Sequence, residues 1–265
     1  MAKLISQFPF LGSLGEVSAY KMRGVDHIIL RRKGGASKRK IKTHPDFVRT
    51  RENNSEFGGR ATAVKWVRQA LSVQKAVADY NIAGTLNGVL QPAQQLDDKG
   101  RRGKRAVLLS RNPQLLQGFS LNRKAPFDSI IRNPPLWSLL RDTRSARIDI
   151  PELLPGINFF APDKHPMFRI TAVLGIVPDV FYTSIKYKPS SNSYRDNDVV
   201  IVDTDWRAVR KNAPATTLEM THPTLPPDQS FSLVLSIGIC FGTMSDATTV
   251  QQVKYAGAAK ILAAV

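Results

Sequence analysis

Residues 231–242, FSLVLSIGICFG, constrain the possible folds more than any other stretch of this chain. Large apolar residues occupy every second position from Phe231 to Phe241, and serine, glycine and cysteine occupy most positions between them. Because successive side chains of a strand point to opposite faces, this period of two predicts a half-buried β-strand.

Further strands are predicted on both sides of this one. Alternation or short apolar runs indicate strands at residues 168–176, 181–187, 199–202 and 253–265. Turn residues rather than helical patterns separate them, which is typical of an antiparallel β-sandwich of Ig-like type. Together with the helices predicted in the first part of the chain, these strands predict an α+β fold.

The part of the chain before residue 106 has a different character. Residues 1–44 lack a sustained period and predict an arm that holds at most a hairpin. Residues 45–56 and 59–80 are predicted helices that meet at Gly58-Gly59. The three tryptophans are predicted to anchor packing: Trp66, Trp137 and Trp206. The predicted organisation has four parts: a basic N-terminal arm (1–44), a helical segment (45–98), a flexible charged linker (99–105) and a β-sandwich domain (106–265).

Positive charge is concentrated in the first part of the chain. The net charge is +17, and residues 1–111 hold 22 Lys and Arg against 8 Asp and Glu, whereas the remainder is nearly neutral. This asymmetry indicates a polyanionic partner or an acidic patch on a neighbouring subunit, with simple solubility as the remaining alternative. The candidate polyanion-binding residues are Lys38, Arg39, Lys40, Lys42, Arg101, Arg102, Lys104 and Arg105.

The sequence carries no local motif for catalysis, for a metal or for a cofactor. The four histidines are isolated, and the stretch KGGASKRK lacks the spacing of a phosphate-binding loop. The single cysteine, Cys240, excludes an intramolecular disulfide and is predicted to be a buried thiol. No apolar stretch is long enough to span a membrane, and no secretion signal is visible. We therefore expect a non-enzymatic, cytoplasmic protein without cofactors, with signal-independent export left open.

Three motifs near the N-terminus resemble one protein family. They are G-x-L-G-x-x-S-x-Y-K at residues 12–21, R-x-K-G-G at 31–35 and R-x-N-N-x-E-F-G at 51–58. These motifs, together with LLQGFSLNRKAPFDSII at residues 115–131, resemble an uncharacterised family encoded in Bacteroidota genomes. The resemblance implies a bacterial source, and it implies no activity, cofactor or site.

Two functions fit these features. The first is a self-assembling structural subunit of a filament, tube or shell, whose basic arm gains order against a neighbouring copy. Residues 42–59 are then predicted to form a subunit contact, with an intramolecular connector as the open alternative. The contact residues are Phe47, Arg49, Arg51, Glu52, Glu56 and Phe57. The alternative function is sequence-independent nucleic-acid binding through the basic runs.

Overall fold

A computed structural model describes residues 2–4, 10–22, 25–162, 164–246 and 249–265 of the chain. The chain divides into two compact units, Met1–Arg51 and Glu52–Val265. Helices and several antiparallel sheets together make a mixed α+β fold, as predicted. The Ig-like sandwich is not confirmed.

The smaller unit contains a sheet where an arm was predicted. Its strands are β1 (Ala2–Leu4), β2 (Gly12–Leu14), β3 (Val17–Tyr20) and β4 (Ile28–Arg32), paired antiparallel in the order β1-β4-β3-β2. The basic run forms helix α1 (Lys38–Thr43), and the Ser37 hydroxyl caps it by accepting a hydrogen bond from the Lys40 N–H. Strands of three to five residues are too short to show a sustained period, which is why the sequence did not predict them. Residues 5–9 and 23–24 of the predicted arm lie outside the described residues.

The larger unit is built on a central antiparallel sheet with the order β10-β7-β13-β14, in which β11 also pairs with β7. A second sheet has the order β12-β6-β5, and β8 pairs with β9. The strands are β5 (Leu136–Leu140), β6 (Ser145–Ile150), β7 (Met167–Pro178), β8 (Val180–Tyr182), β9 (Tyr187–Pro189), β10 (Val199–Asp203), β11 (Arg207–Ala208), β12 (Thr216–Thr221), β13 (Phe231–Met244) and β14 (Val250–Ala264). The strand predicted at 181–187 is instead a hairpin, because the alternation continues through its turn.

Strand β13 is buried on both of its faces, not on one as predicted. Its large apolar face, with Leu233 and Ile237, shares a hydrophobic core with Ile148 of β6 and Leu218 of β12. Its other face carries small residues and lies against the helical segment. Central strands that are covered on both sides by other layers are typical of layered folds.

Glycines on the helix-facing side of the central sheet let the helices approach closely. A Cβ atom added at Gly175 of β7 would lie 2.7 Å from the Cβ of Ala70. At Gly238 of β13 it would lie 3.3 Å from the Cγ of Gln74. The small residues between the large ones in β13 therefore form a second packing surface.

Beyond α1, the helices are one long helix and several short ones. The elements are α2 (Val48–Ala70), α3 (Ile82–Val89), α4 (Gln91–Gln95) and α5 (Phe127–Ile130), with 3₁₀ turns at Pro45–Phe47, Gln74–Val77, Leu109–Arg111 and Pro113–Leu116. One helix runs through Gly58-Gly59, where a break was predicted. A Cβ at Gly59 would lie only 2.6 Å from Cε1 of Tyr187, so this glycine makes room for a ring of β9.

The helical segment and the central sheet share one hydrophobic core. Ala63, Val67 and Leu71 pack with Val234 and Ile261 in that core. The boundary between the two compact units falls between residues 51 and 52. The four-part organisation with a linker at 99–105 stays a prediction. Within the described ranges, no helix is both long and apolar enough to cross a membrane.

Candidate functional site

The structure brings together residues that were predicted to face two different partners. Glu56, a predicted subunit contact, lies in α2 and is only 5% exposed. Its carboxylate accepts hydrogen bonds from Nε and Nη2 of Arg105 at 2.7 and 2.8 Å, and from the Gly103 N–H at 2.8 Å. The hydrogen bonds from Arg105, a predicted polyanion-binding residue, hold the pKa of Glu56 below its usual value. Glu56 and Arg105 thus neutralise one another within the same chain.

Residues 99–105, the predicted charged linker, form a turn that is held by hydrogen bonds. The carboxylate of Asp97 accepts hydrogen bonds from the N–H groups of Lys99, Gly100 and Ala106 at 3.1, 3.2 and 2.7 Å. The Ser55 hydroxyl donates to the Gly103 carbonyl at 2.6 Å, which ties the turn to α2. The run of charges suggested flexibility because its partners lie far away in the sequence, where composition cannot reveal them.

Two more predicted contact residues have partners within the chain. Arg51 donates from Nη1 to the carbonyls of Ile41 and His44, both at 2.9 Å, and so satisfies the C-terminal end of α1. Glu52 lies 3.6 Å from the guanidinium of Arg102. The alternative, in which residues 42–59 form an intramolecular connector, therefore explains the contacts of Arg51, Glu52 and Glu56 without a second subunit.

Other predicted site residues keep their side chains at the surface. Phe47 is half-buried, and the exposed ones are Lys38, Arg39, Lys40, Lys42, Arg49, Phe57, Arg101 and Lys104. Cys240 is buried, as predicted, and burial raises the pKa of its thiol. Among the described residues, no group of acidic, histidine or cysteine side chains is arranged to hold a metal ion.

An exposed apolar strand edge is the feature that the sequence did not single out. Strand β5 lies at the end of its sheet, and β6 is its one pairing partner in the described part of the chain. Leu136, Trp137 and Leu140 are 72%, 41% and 57% exposed. Trp137 is thus not the packing anchor that was predicted. A short strand whose period ends in two adjacent leucines gives no clear pattern, although Pro134-Pro135 marks its start.

The register between β5 and β6 determines on which face of the sheet each β5 side chain lies. Leu136, Ser138 and Leu140 pair with positions 149, 147 and 145 of β6, on the face that points away from the core. On that face Arg147 binds Asp149 at 2.9 Å and Glu219 of β12 at 2.7 Å. The charges on this face are therefore one cation paired with two carboxylates, in contrast to the basic chain as a whole.

Comparison with protein-family models, with curated proteins and with solved structures finds no match to this chain.

Proposed function

We propose that this protein is a non-enzymatic structural subunit that associates with copies of itself in a filament, tube or shell. The observation that carries the proposal is the unpaired β5 edge with its three exposed apolar side chains. An exposed apolar edge offers backbone hydrogen-bonding groups and apolar surface together, and therefore favours pairing with another strand. The cytoplasmic location expected from the sequence belongs to the same proposal.

The sequence of β5 favours a second copy of the same strand as its partner. The strand reads Leu-Trp-Ser-Leu-Leu, so an antiparallel pair centred on Ser138 places Leu136 opposite Leu140 and Trp137 opposite Leu139. Each apolar residue then meets an apolar residue, and apolar cross-strand pairs stabilise a sheet. The absence of charge in β5 and the pairing of Arg147 with two carboxylates let two basic chains approach here with little repulsion.

A two-fold contact of this kind yields a closed pair, and a larger assembly needs a second, different contact. The sequence-predicted candidates that remain exposed include the basic run of α1 and Phe57. In this proposal they supply the second contact.

Cross-linking at the proposed two-fold axis tests the register. A Ser138→Cys variant should form a disulfide-linked dimer under mild oxidation, because directly opposed residues of an antiparallel pair lie within reach of a disulfide. The buried Cys240 should not compete. The control is Ser193→Cys, an exposed serine outside β5, which should stay largely monomeric. Equal cross-linking of both variants would refute the pairing.

The strength of the contact is tested by charging the edge. Burying the exposed part of Leu136 is worth about 1.5 kcal/mol in each copy. Leu136→Lys should therefore weaken dimerisation by about a hundredfold in sedimentation equilibrium. Ile185→Lys, at an exposed isoleucine outside β5, is the matched control and should leave dimerisation unchanged. An unchanged dimer in the Leu136 variant would show that the edge is not the contact.

The second candidate, nucleic-acid binding, is favoured by the four exposed cations of α1 and weakened by the pairing of Arg105 with Glu56. Replacing Lys38, Arg39, Lys40 and Lys42 with alanine should abolish salt-sensitive binding of single-stranded DNA if this candidate is right. Loss of DNA binding with intact self-association would favour this candidate over the first. Loss of self-association alone would instead place α1 in the subunit contact.

A further inference from the structure

A polar cleft on the larger unit has features that self-assembly does not account for. It has a volume of about 550 Å³ and lies between the turn at 97–100, the segment 104–111, the hairpin β8–β9 and residues 229–230. This is a size typical of small-molecule binding sites.

The floor of the cleft contains a buried carboxylate. Asp179, at the corner between β7 and β8, is 2% exposed. Its Oδ1 accepts a hydrogen bond from the Ser110 N–H at 2.8 Å, and its Oδ2 accepts one from the Ser110 hydroxyl at 2.5 Å. Within the described ranges no cationic side chain forms a salt bridge with it, and burial raises its pKa. A buried carboxylate without a salt bridge costs folding free energy, and such groups are concentrated in binding and catalytic sites.

The rim of the cleft is cationic. Lys99, Lys104 and Arg111 line it, and their side chains are exposed. None of the three forms a salt bridge with a carboxylate in the part of the chain that the structure describes, whereas Arg105 nearby has Glu56. Three unpaired cations around one cleft favour a ligand with more than one negative charge.

Aromatic side chains form one wall. Phe181 lines the cleft, is half-buried and belongs to neither hydrophobic core of the described residues. Tyr182 stands at the rim, with Nζ of Lys104 5.3 Å from its ring centroid. A half-exposed ring beside cations is the combination that binds the bases and phosphates of single-stranded nucleic acids.

We propose that this cleft binds a nucleotide, either free or as one unit of a single strand. The phosphate lies among Lys99, Lys104 and Arg111, and the base stacks on Phe181. Asp179 has an acceptor position left after its two hydrogen bonds with Ser110 and one with the Leu109 backbone N–H, and it accepts a hydrogen bond from a ribose hydroxyl or an exocyclic amine of the base. The site is distinct from the β5 edge and does not depend on self-association.

Calorimetric titration of the full chain with AMP, and fluorescence anisotropy with a labelled short oligodeoxyadenosine, whose bases carry the exocyclic amine, test the proposal. We expect saturable binding of at least one probe, and binding of AMP alone or of the oligonucleotide alone identifies the source of the nucleotide. Phe181→Leu should weaken that binding by roughly tenfold, because the base loses its stacking partner. Ribose 5-phosphate, which has no base, should bind less tightly than AMP and should not respond to this variant.

Charge removal provides the matched control. The pair Lys99→Ala and Lys104→Ala should weaken binding strongly, whereas Lys38→Ala and Lys40→Ala, which remove the same charge from α1, should leave it nearly unchanged. Circular dichroism confirms folding of each variant. Absence of binding by both probes, an unaffected Phe181 variant, or equal losses from the two lysine pairs would each overturn the proposal.

Discussion

Removal of the cation beside Glu56 should destabilise the larger unit more than removal of an exposed cation from the same turn. In Arg105→Met the carboxylate of Glu56 stays buried at 5% exposure and loses two of its three hydrogen bonds, keeping the one from Gly103. Removing one partner of a buried ion pair costs about 3–5 kcal/mol. Because 21% of the Arg105 side chain reaches solvent, we expect a loss at the lower end, about 3 kcal/mol.

Urea unfolding followed by circular dichroism measures this loss. The control Arg101→Met removes an exposed arginine from the same turn and should change the free energy of unfolding by less than about 0.5 kcal/mol. The double variant Glu56→Met with Arg105→Met removes both charges and should recover most of the stability lost in the single variant. A single variant as stable as Arg101→Met, or a double variant no more stable than the single, would refute the reasoning.

The same pair makes stability depend on pH. The pKa of Glu56 is lowered in the folded protein, mainly by the Arg105 hydrogen bonds, from a usual value of 4.5. A carboxylate with a depressed folded pKa contributes stability that is fully present above its unfolded pKa and is lost as pH falls through its folded pKa. Below pH 4.5 the wild type should therefore lose stability more steeply than Arg105→Met, and parallel pH profiles would contradict this.

The packing around α2 leads to three more expected outcomes. Glu56→Lys should unfold the larger unit, because a buried cation then faces Arg105. Glu52→Lys should stay folded, and the thermal unfolding midpoints of the two variants check this difference. Gly59→Ala should cost about 1–3 kcal/mol through the clash with the β9 tyrosine, whereas Gly58→Ala, whose Cβ meets open space, should stabilise α2 by about 0.5–1 kcal/mol in urea unfolding. A fragment of residues 106–265 should aggregate on purification, since it exposes the sheet face that α2 covers, and a monomeric folded fragment in size-exclusion chromatography would contradict the shared core.

Several elements could be predicted from the local sequence pattern alone. The strands at 168–176 and 231–242 were predicted because their large apolar residues recur at every second position. The burial of Cys240 followed from its place among small residues of such a strand. The alternation did not show that both faces of β13 are covered. Glycine and serine between apolar residues predict a solvent-facing side, and only the structure shows that helices pack against it.

The candidate sites were less predictable, since they depend on which residues meet in space. Charge and composition identified residues 101–105 as basic and residues 51–57 as carrying both signs of charge. Only the folded chain shows that Arg105 and Glu56 satisfy one another across 49 positions of sequence.

The sequence by itself determined the local preferences of this protein: where several of the strands form, that residues 45–80 favour helix, and that positive charge gathers in the first part of the chain. Tertiary structure alone decided that, among the described residues, β5 pairs with β6 only and that Asp179 shares a cleft with three cations that have no carboxylate partner. The physical reason is that period and composition report the preference of each segment for a conformation, whereas exposure, charge pairing and clefts arise from contacts between segments far apart in the chain.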